Sequence, residues 1–445
     1  MEKKKRILVT GACGFIGSHF VQLILERTDW EVVALVGLKY ASDVNRLAFV
    51  GREAGWERLT FIYHDLREPI PDQVVDRIGS VDYVATFASQ SDVQRSLDNP
   101  AEFVKENVAI ALSILEYARI AKPEKFILVS TDEVFGPAAP GSSALEWDPH
   151  VPSNPYAASK SAQEAIAISY WRSYGVPVLI TNTMNNYGPG QHPEKFVPKV
   201  VQAVLAGTQV RIHGEPHPLG GWSAGSRVWL HARDHADALA WILENITPAR
   251  FGDSDRPDKF NVAGEVEVDN LELAERIADA LDLPLDYAWE NFHASRPGHD
   301  LRYSLDGQKL SDAGWKRPRT FAQGLRETVQ ALAKRPPEKS QDDPDRDPVD
   351  QAVLDTLEAW AADKSRKDGG GFDFQLEKGF GSTVDLARYA PPIPLELARR
   401  ITARRRFRWD VFQLGLSVVE METRTEPGTL ADETFTFRVA IDRRP

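Results

Sequence analysis

The sequence predicts an α/β protein: a doubly wound parallel sheet, a smaller α/β lobe after it, and a C-terminal extension whose fold the residue pattern leaves open. Three observations carry this. Short apolar runs alternate with stretches of helical periodicity from Ile7 to Thr181, as in βαβ units whose strands are covered on both faces. A glycine triplet, Gly11, Gly14 and Gly17, falls between the first apolar run and the first helix. After the sixth run the alternation stops and a loop-rich pattern takes over.

The length of 445 residues asks for more than one domain. We expect a sheet domain over 1–183, a smaller lobe over 184–334 with segments returning to the first domain, a linker over 335–348 and an extension over 349–445. Hydrophobic residues at 42% supply a sizeable core, and a net charge of -12 argues against nucleic acid or an anionic membrane as partner. The single cysteine, Cys13, excludes an intrachain disulfide and a cysteine metal cluster, and fits a reducing cytoplasm. No apolar run reaches the ~20 residues of a membrane span. The basic N-terminus leads into a strand of only about four residues, so it does not read as a signal peptide. The histidines are not at metal-ligand spacings, and no metal is expected.

Taken in order, Ile7-Leu8-Val9-Thr10 is a first buried strand. The helix after it carries apolar Ile16, Phe20, Leu23 and Ile24 at helical spacing. Glycines let a backbone approach a pyrophosphate, and a helix N-terminus offers amide donors and a favourable dipole. Gly11, Gly14, Phe15, Ile16 and Gly17 are therefore the candidate dinucleotide turn. The second strand is Glu31–Val36; an acid is expected at its end for the ribose of NAD, but Val36-Gly37-Leu38-Lys39 has none. Lys39 could approach a 2′-phosphate, so NAD is expected and NADP stays open. Leu59–Tyr63 is the third strand, leading to Asp65 and Leu66, candidates for the adenine edge. Val81–Phe87 is the fourth, and Phe87, Ala88, Ser89, Gln90 and Ser91 should pass near the cofactor. An amphipathic helix covers 101–121.

The fifth strand, Phe126–Val129, ends in Ser130-Thr131-Asp132-Glu133. Ligands in such sheets bind beyond the carboxyl ends of strands, and a hydroxyl with two carboxylates is a plausible acid/base set. Asn154 reads as a helix cap with Pro155 at the first helical position. Tyr156 and Lys160, four apart, share one helix face. An ammonium beside a phenol favours phenolate and lowers its pKa, giving a base for an alcohol near neutral pH.

Val176–Thr181 is the sixth strand. Beyond it come loop chemistry at Met184–Gly190, a helix over Phe196–Ala206, a long Gly/Pro/His loop over Gly214–Gly225, a strand at Arg227–His231, and helices at Asp234–Leu243 and Leu271–Leu281. Arg335 to Pro348 is too polar and Pro-rich to bury apolar surface. Val349–Lys364 reads as an amphipathic helix, and Trp409–Val419 and Thr434–Ile441 as strands. The cluster Arg399, Arg400, Arg404, Arg405 and Arg406 reads as a solvated helix face rather than a nucleotide or partner patch.

Several stretches recur together: Gly-Ala-Cys-Gly-Phe-Ile-Gly-Ser at 11–18, Ser-Thr-Asp-Glu-Val-Phe-Gly at 130–136 and Ser-Asn-Pro-Tyr-Ala-Ala-Ser-Lys at 153–160. Asn-Asn-Tyr-Gly-Pro follows at 185–189, Pro-Glu-Lys-Phe-Val-Pro at 193–198, and Arg-Pro-Gly-His-Asp at 296–300 with Arg302-Tyr303. In these the chain from about Arg6 to Leu332 resembles the extended short-chain dehydrogenase/reductases, with their Rossmann-type sheet, and within them the dTDP-glucose 4,6-dehydratases.

The resemblance implies an NDP-hexose substrate and transient oxidation at C4. Tyr156, assisted by Lys160 and Thr131, would take the 4-hydroxyl proton. Glu133 would take the C5 proton, Asp132 would protonate the departing 6-hydroxyl, and hydride would return to C6. Two neighbouring carboxyls must then differ in protonation, which shared burial promotes. The resemblance also implies Asn185, Lys195, Phe196, Arg227, Asn261, Arg296 and His299 on the nucleoside diphosphate, Ser91 and Thr131 on the sugar, Asn186 on the cofactor, and a homodimer paired through the helices near 101–121 and 156–174. It departs at Val36, at Gln90 and Asp92, at Val228, and in a longer Glu215–Ser226 loop, which leaves base and hexose open. A 4-epimerase or decarboxylase of the same fold, or a non-catalytic NAD-binding scaffold, are the alternatives; Asp132 and Glu133 are what an epimerase has no use for.

Overall fold

In the computed structural model the described residues are 4–37, 42, 46–47, 56–217, 220–291 and 300–334, with strands at 371–376, 416–425 and 433–441. The chain divides into two units, Met1–Pro337 and Glu338–Pro445.

The first unit is built on strands β1 (Arg6–Thr10), β2 (Glu31–Val36), β3 (Leu59–Tyr63), β4 (Tyr83–Thr86), β5 (Lys125–Thr131), β6 (Val178–Thr183) and β12 (Asp258–Val262). They form one sheet in the order β12-β6-β5-β4-β1-β2-β3, and every pairing is parallel. The chain winds outward from β1 to β3, then returns past β1 to β4 and winds the other way. That reversal opens a crevice beyond the carboxyl ends of β1 and β4, where ligands of such sheets bind.

Successive strand residues face opposite sides, so each side of the sheet has its own core. Ile7, Val9, Val32, Ala34, Ile127 and Leu179 pack under helices α1 (Phe15–Arg27) and α7 (Ala232–Asn245). Leu8, Val33, Leu35, Val84, Phe126 and Ile180 pack under α4 (Pro100–Ala121) and α5 (Pro155–Tyr174). The short helices α2 (Asp72–Ile78) and α3 (Val93–Asp98) precede α4. Helix α5 starts as its sequence predicts: Pro155 is at the first position and the Asn154 side chain accepts from the Ala157 amide.

The chain between β6 and the end of the unit adds strands β7 (Asn186–Tyr187), β8 (Val210–Pro216), β9 (Trp222–Ala224), β10 (Ser226–Val228), β11 (Leu230–His231), β13 (Glu267–Asp269) and β14 (Tyr287–Asn291). Helices α6 (Phe196–Ala206), α8 (Asn270–Leu281), α9 (Gln308–Asp312) and α10 (Phe321–Ala333) complete it. Val197, Val201, Ile212, Trp229, Leu273, Ile277, Leu325 and Val329 form a third core there. Helix α7 and strand β12 return to the large sheet from within this region.

The bounds of β2, β3 and α6 are those their residue patterns predict. Strand β5 runs further than its apolar stretch and carries Thr131 as its last residue, paired with Thr183. The long loop expected over Gly214–Gly225 is instead largely a hairpin, with Gly214, Glu215 and Pro216 opposite Ala224, Ser223 and Trp222. A contact that periodicity does not reveal spans the sheet there: Trp222 on β9 stacks on Trp289 of β14 across β8, with centroids 5.5 Å apart and planes 2° from parallel. The single strand expected at Arg227–His231 is split into β10 and β11, which join different sheets.

The second unit contains a three-stranded antiparallel sheet, β15 (Gly371–Leu376), β17 (Glu433–Ile441) and β16 (Leu416–Thr425), in that order. Strand β15 was not expected from the sequence. The expected linker, the helix at Val349–Lys364 and the arginine cluster at 399–406 lie outside the described residues. Among the described residues no helix is long and apolar enough to cross a membrane.

The glycine turn is tied to this packing. A Cβ on Gly17 would sit 2.3 Å from the Gly11 carbonyl oxygen, a backbone atom that cannot swing aside. Gly17→Ala is therefore expected to lower stability by about 1–3 kcal/mol, the usual cost of overpacking, measured as a fall in the urea midpoint.

Candidate active site

The crevice at the β1–β4 reversal is lined by the glycine turn on one side and residues 87–91 on the other. Gly11 has φ +67, and a Cβ there would meet the Ala88 amide nitrogen at 2.7 Å, so the two segments touch backbone to backbone. The Thr10 and Thr86 hydroxyls, 2.8 Å apart, lock the strand ends beneath them. Gly14 caps α1 with no side-chain acceptor. The first-turn amides of Phe15, Ile16 and Gly17 thus face the crevice end of a helix without a cap side chain, which suits an anion. Arg46, which the sequence did not single out, donates to the Cys13 carbonyl at 2.9 Å and braces the turn.

Around this turn the candidate cofactor residues fall into two groups. Phe87 packs on Phe20, and the Ser89 hydroxyl and Gln90 amide both donate to Asn107 Oδ1, at 3.2 and 2.7 Å. Asn186 Nδ2 donates to the Met184 carbonyl at 2.8 Å. Asp65, by contrast, is ion-paired with Arg67 at 2.8 Å, and Arg67 pairs in turn with Glu106. Leu66 is buried beside it. Val36 ends β2 with no carboxylate, and Lys39 lies outside the described residues.

The acid/base cluster stands at the end of β5. Thr131 caps a single 3-10 turn, Asp132–Phe135, and its hydroxyl donates to Asp132 Oδ1 at 2.9 Å. The other oxygen, Asp132 Oδ2, is buried without a hydrogen-bond partner among the described residues. Burial, then the neighbouring Glu133, pushes the Asp132 carboxyl up to about 7; the Thr131 bond and the Arg227 charge oppose this. Glu133 is half-buried, and burial raises its pKa as well. Asn154 Nδ2 donates to Glu133 Oε2 at 3.1 Å, and that bond with the charges of Arg227 and Lys195 favours its ionised form.

Tyr156 and Lys160 reach the same place from the first turns of α5. The phenol lies with Thr131, Glu133 and Asp132, and burial followed by the Glu133 charge raises its pKa far above the usual value. This corrects the expectation that Lys160 lowers it. The Lys160 ammonium is instead directed at the Val129 carbonyl, 2.8 Å, and Gln163 Oε1, 2.6 Å. Burial brings Lys160 down to about 8, with Glu164 opposing.

Of the candidate substrate residues, Arg227 and Lys195 are close enough for their charges to act on Glu133. Arg227 donates to the carbonyls of Ser226, Leu301 and Asp300 and lies 4.6 Å over the Tyr303 ring. Lys195 pairs with Glu194 at 3.1 Å and stands 3.9 Å from Asp92. Phe196 stacks on Trp229; Asn185 and Ser91 are exposed. Asn261 is not brought to the cluster: it is fully buried on β12, where its Nδ2 donates to the Ala144 carbonyl. Arg296 and His299 lie outside the described residues. Residues the sequence reading missed are Asn107 and Gln163, which hold the 89–90 segment and Lys160. Gln163, three positions after Lys160, was findable from helical spacing; Asn107 was not, since its partners lie on other elements. Among the described residues no group of His, Cys, Asp or Glu could hold a metal.

The GDP-mannose 4,6 dehydratase family model matches residues 8–328. The low-salt glycan biosynthesis protein Agl12 of Haloferax volcanii is 35% identical over 323 residues, covering 73% of this chain and 97% of its own. A dTDP-glucose 4,6-dehydratase of Streptomyces niveus is 36% identical over 334 residues, covering 73% of this chain and 92% of its own. Among solved structures, the dTDP-glucose 4,6-dehydratase DesIV of Streptomyces venezuelae, determined with NAD bound, aligns with a TM-score of 0.63 and 35% identity over 73% of this chain and 96% of that one. The family match ends at residue 328, before the second unit begins. With most of its first unit shared in this way, the chain belongs to the GDP-mannose 4,6 dehydratase family of the extended short-chain dehydrogenase/reductases, alongside the dTDP-glucose 4,6-dehydratases.

Proposed function

We propose that this protein is a nucleotide-sugar 4,6-dehydratase, converting an NDP-hexose of the dTDP-glucose kind to the 4-keto-6-deoxy sugar. One arrangement carries the reading: a phenol and two adjacent, largely dehydrated carboxyls gathered on Thr131 at a strand end. A 4-epimerase needs the phenol but has no work for the carboxyl pair.

NAD fits the crevice, because the uncapped start of α1 and the close-packed glycines suit a pyrophosphate. Gly11, Gly14, Phe15, Ile16 and Gly17 would hold it, with Phe87, Ala88, Ser89 and Asn186 flanking. When bound, it supplies the temporary oxidation at C4 and its reversal at C6. The chain's own groups move the protons. Tyr156 takes the 4-hydroxyl proton, with Thr131 in hydrogen-bond reach. Burial first and the Glu133 charge second hold this phenol protonated, with the Thr131 bond opposing and Asp132 contributing least, so Tyr156 must ionise before it acts, which the positive nicotinamide ring would favour. Glu133 removes the C5 proton and gives one back to C5 when hydride reaches C6; Asn154, Arg227 and Lys195 favour the ionised form the first of these needs. Asp132 then gives its proton to the departing 6-hydroxyl, which leaves as water. The oxygen Oδ2, buried and unpartnered, is the natural seat of that proton. Lys195 and Arg227 are the cations for the diphosphate. A homodimer through α4 and α5 belongs to the same reading: Leu112 and Ile120 on α4 and Tyr174 on α5 are exposed apolar side chains a second copy would cover.

Incubation with dTDP-glucose is expected to yield the 4-keto-6-deoxy product, identified by mass and by its absorbance in alkali; UDP-, GDP- and CDP-hexoses run in parallel would identify the base. A 4-epimer as sole product overturns the proposal. Glu133→Gln should still allow oxidation but stall elimination, lowering turnover by about 10²–10⁴ while reduced cofactor accumulates, visible in its near-ultraviolet absorbance. The acid Asp132 is neutral below about 7 and ionised above it, so turnover should decline as pH rises through that value. In Asp132→Asn that limb should vanish from the pH profile along with most of the activity.

A further inference from the structure

We infer that the buried ion pair Glu164–Lys259 positions the Asp132–Phe135 turn, holding Thr131, Asp132 and Glu133 at both ends in the arrangement the reaction needs. The catalytic part of this inference rests on the dehydratase reading; the structural part does not. Glu164 lies on α5 one turn beyond Lys160, and Lys259 on β12; both side chains are 1% exposed, and Oε2 and Nζ are 2.7 Å apart. The other carboxylate oxygen, Oε1, accepts from Asn182 Nδ2 at 2.8 Å. The same Nδ2 donates to the Thr131 carbonyl at 2.9 Å. The pair thereby orients the amide that fixes the peptide between Thr131 and Asp132.

The far end of the turn is held by the cation. Lys259 Nζ sits 4.8 Å from the centroid of Phe135, the last residue of the turn, and 5.4 Å from that of Trp147. His150 Nε2 is 3.2 Å from the same ammonium, and its ring meets Phe135 edge-on at 5.4 Å. The neighbouring Val151 amide donates to the Val134 carbonyl at 2.9 Å. A buried ion pair adds little net stability over apolar side chains of similar volume. What it adds here is direction: an acceptor for one end of the turn and a cation against the aromatic ring at the other. Neither residue touches the reacting atoms, so both are positioning residues.

Three variants test this: Glu164→Met with Lys259→Met, which replaces both charges by apolar volume; Glu164→Gln with Lys259→Met, which is also neutral but keeps an acceptor for Asn182; and Phe135→Leu. In the double-Met variant kcat with dTDP-glucose should fall about 100-fold, the scale of a small misplacement, with KM nearly unchanged. Amide exchange over 131–136 should quicken while that of 11–17 does not. The Gln/Met variant should recover part of kcat, which a merely structural role does not explain. Parent-like kcat and exchange in a folded double-Met variant overturn the inference. Should that variant not fold, Phe135→Leu decides: slower turnover with faster exchange at 131–136 supports it, and parent values overturn it. If the parent makes no dehydration product yet the exchange changes as stated, the dehydratase reading fails and the anchoring of the turn stands.

Discussion

Everything at this site depends on drawing two adjacent carboxyls out of water, Asp132 almost wholly and Glu133 in part. Burying an ionised carboxylate is costly, and the group responds by holding its proton more tightly. Asp132 also feels the charge of the consecutive Glu133. The fold does not relieve both equally. Glu133 receives the Asn154 amide and lies within the influence of Arg227 and Lys195. Asp132 receives the Thr131 hydroxyl on one oxygen and leaves the other bare. Two like groups thereby acquire different tendencies, which is what an elimination needing one acid and one base requires.

That division is only useful because the sheet register delivers it. Thr131 is the last residue of β5 and pairs with Thr183, so the turn begins where strand pairing stops. Helix α5 is aimed back at this point by its Asn154 cap, and the same Asn154 side chain contacts Glu133. Behind the turn, Lys259 and Glu164 are fully buried; removing either alone would strand a charge, at a cost of about 3–5 kcal/mol. Strand β12, the last to join the sheet, is thus linked to chemistry that lies two strands away.

The alternation of apolar runs made β2 legible to the residue, because a strand buried on both faces leaves a continuous apolar stretch; β3, an edge strand with Thr60 and Phe61 exposed, was legible from its β-branched and aromatic residues. The Thr131-Asp132-Glu133 and Tyr156/Lys160 pieces were legible as local spacings. What the sequence hid was everything set by contacts between distant segments. The expected loop at 214–225 is largely a hairpin, with Trp222 stacked on the distant Trp289. Asn261, expected on the substrate, faces Ala144 inside the fold. The sign of the Tyr156 shift was misjudged for the same reason: helical spacing brings Lys160 to the right face, but not where its ammonium points. That is decided by the Val129 carbonyl and Gln163.

Asn107 joins the 89–90 segment to the helix that carries Tyr156 and Lys160. Its Oδ1 accepts from the Gln90 amide, its Nδ2 donates to the Gln90 carbonyl and to Ser159, and its own carbonyl accepts from Gln163. Gln163 in turn receives the Lys160 ammonium. The segment at 89–90 is therefore bonded through Asn107 to that helix, α5. The Gln90 side-chain Nε2 donates to Glu106, which Arg67 ties back to Asp65. Because Asn107 grips residue 90 by its main-chain N–H and carbonyl, the side chain there can change without breaking that link, whereas a change at Asn107 would loosen both the 89–90 segment and the Gln163 that receives Lys160.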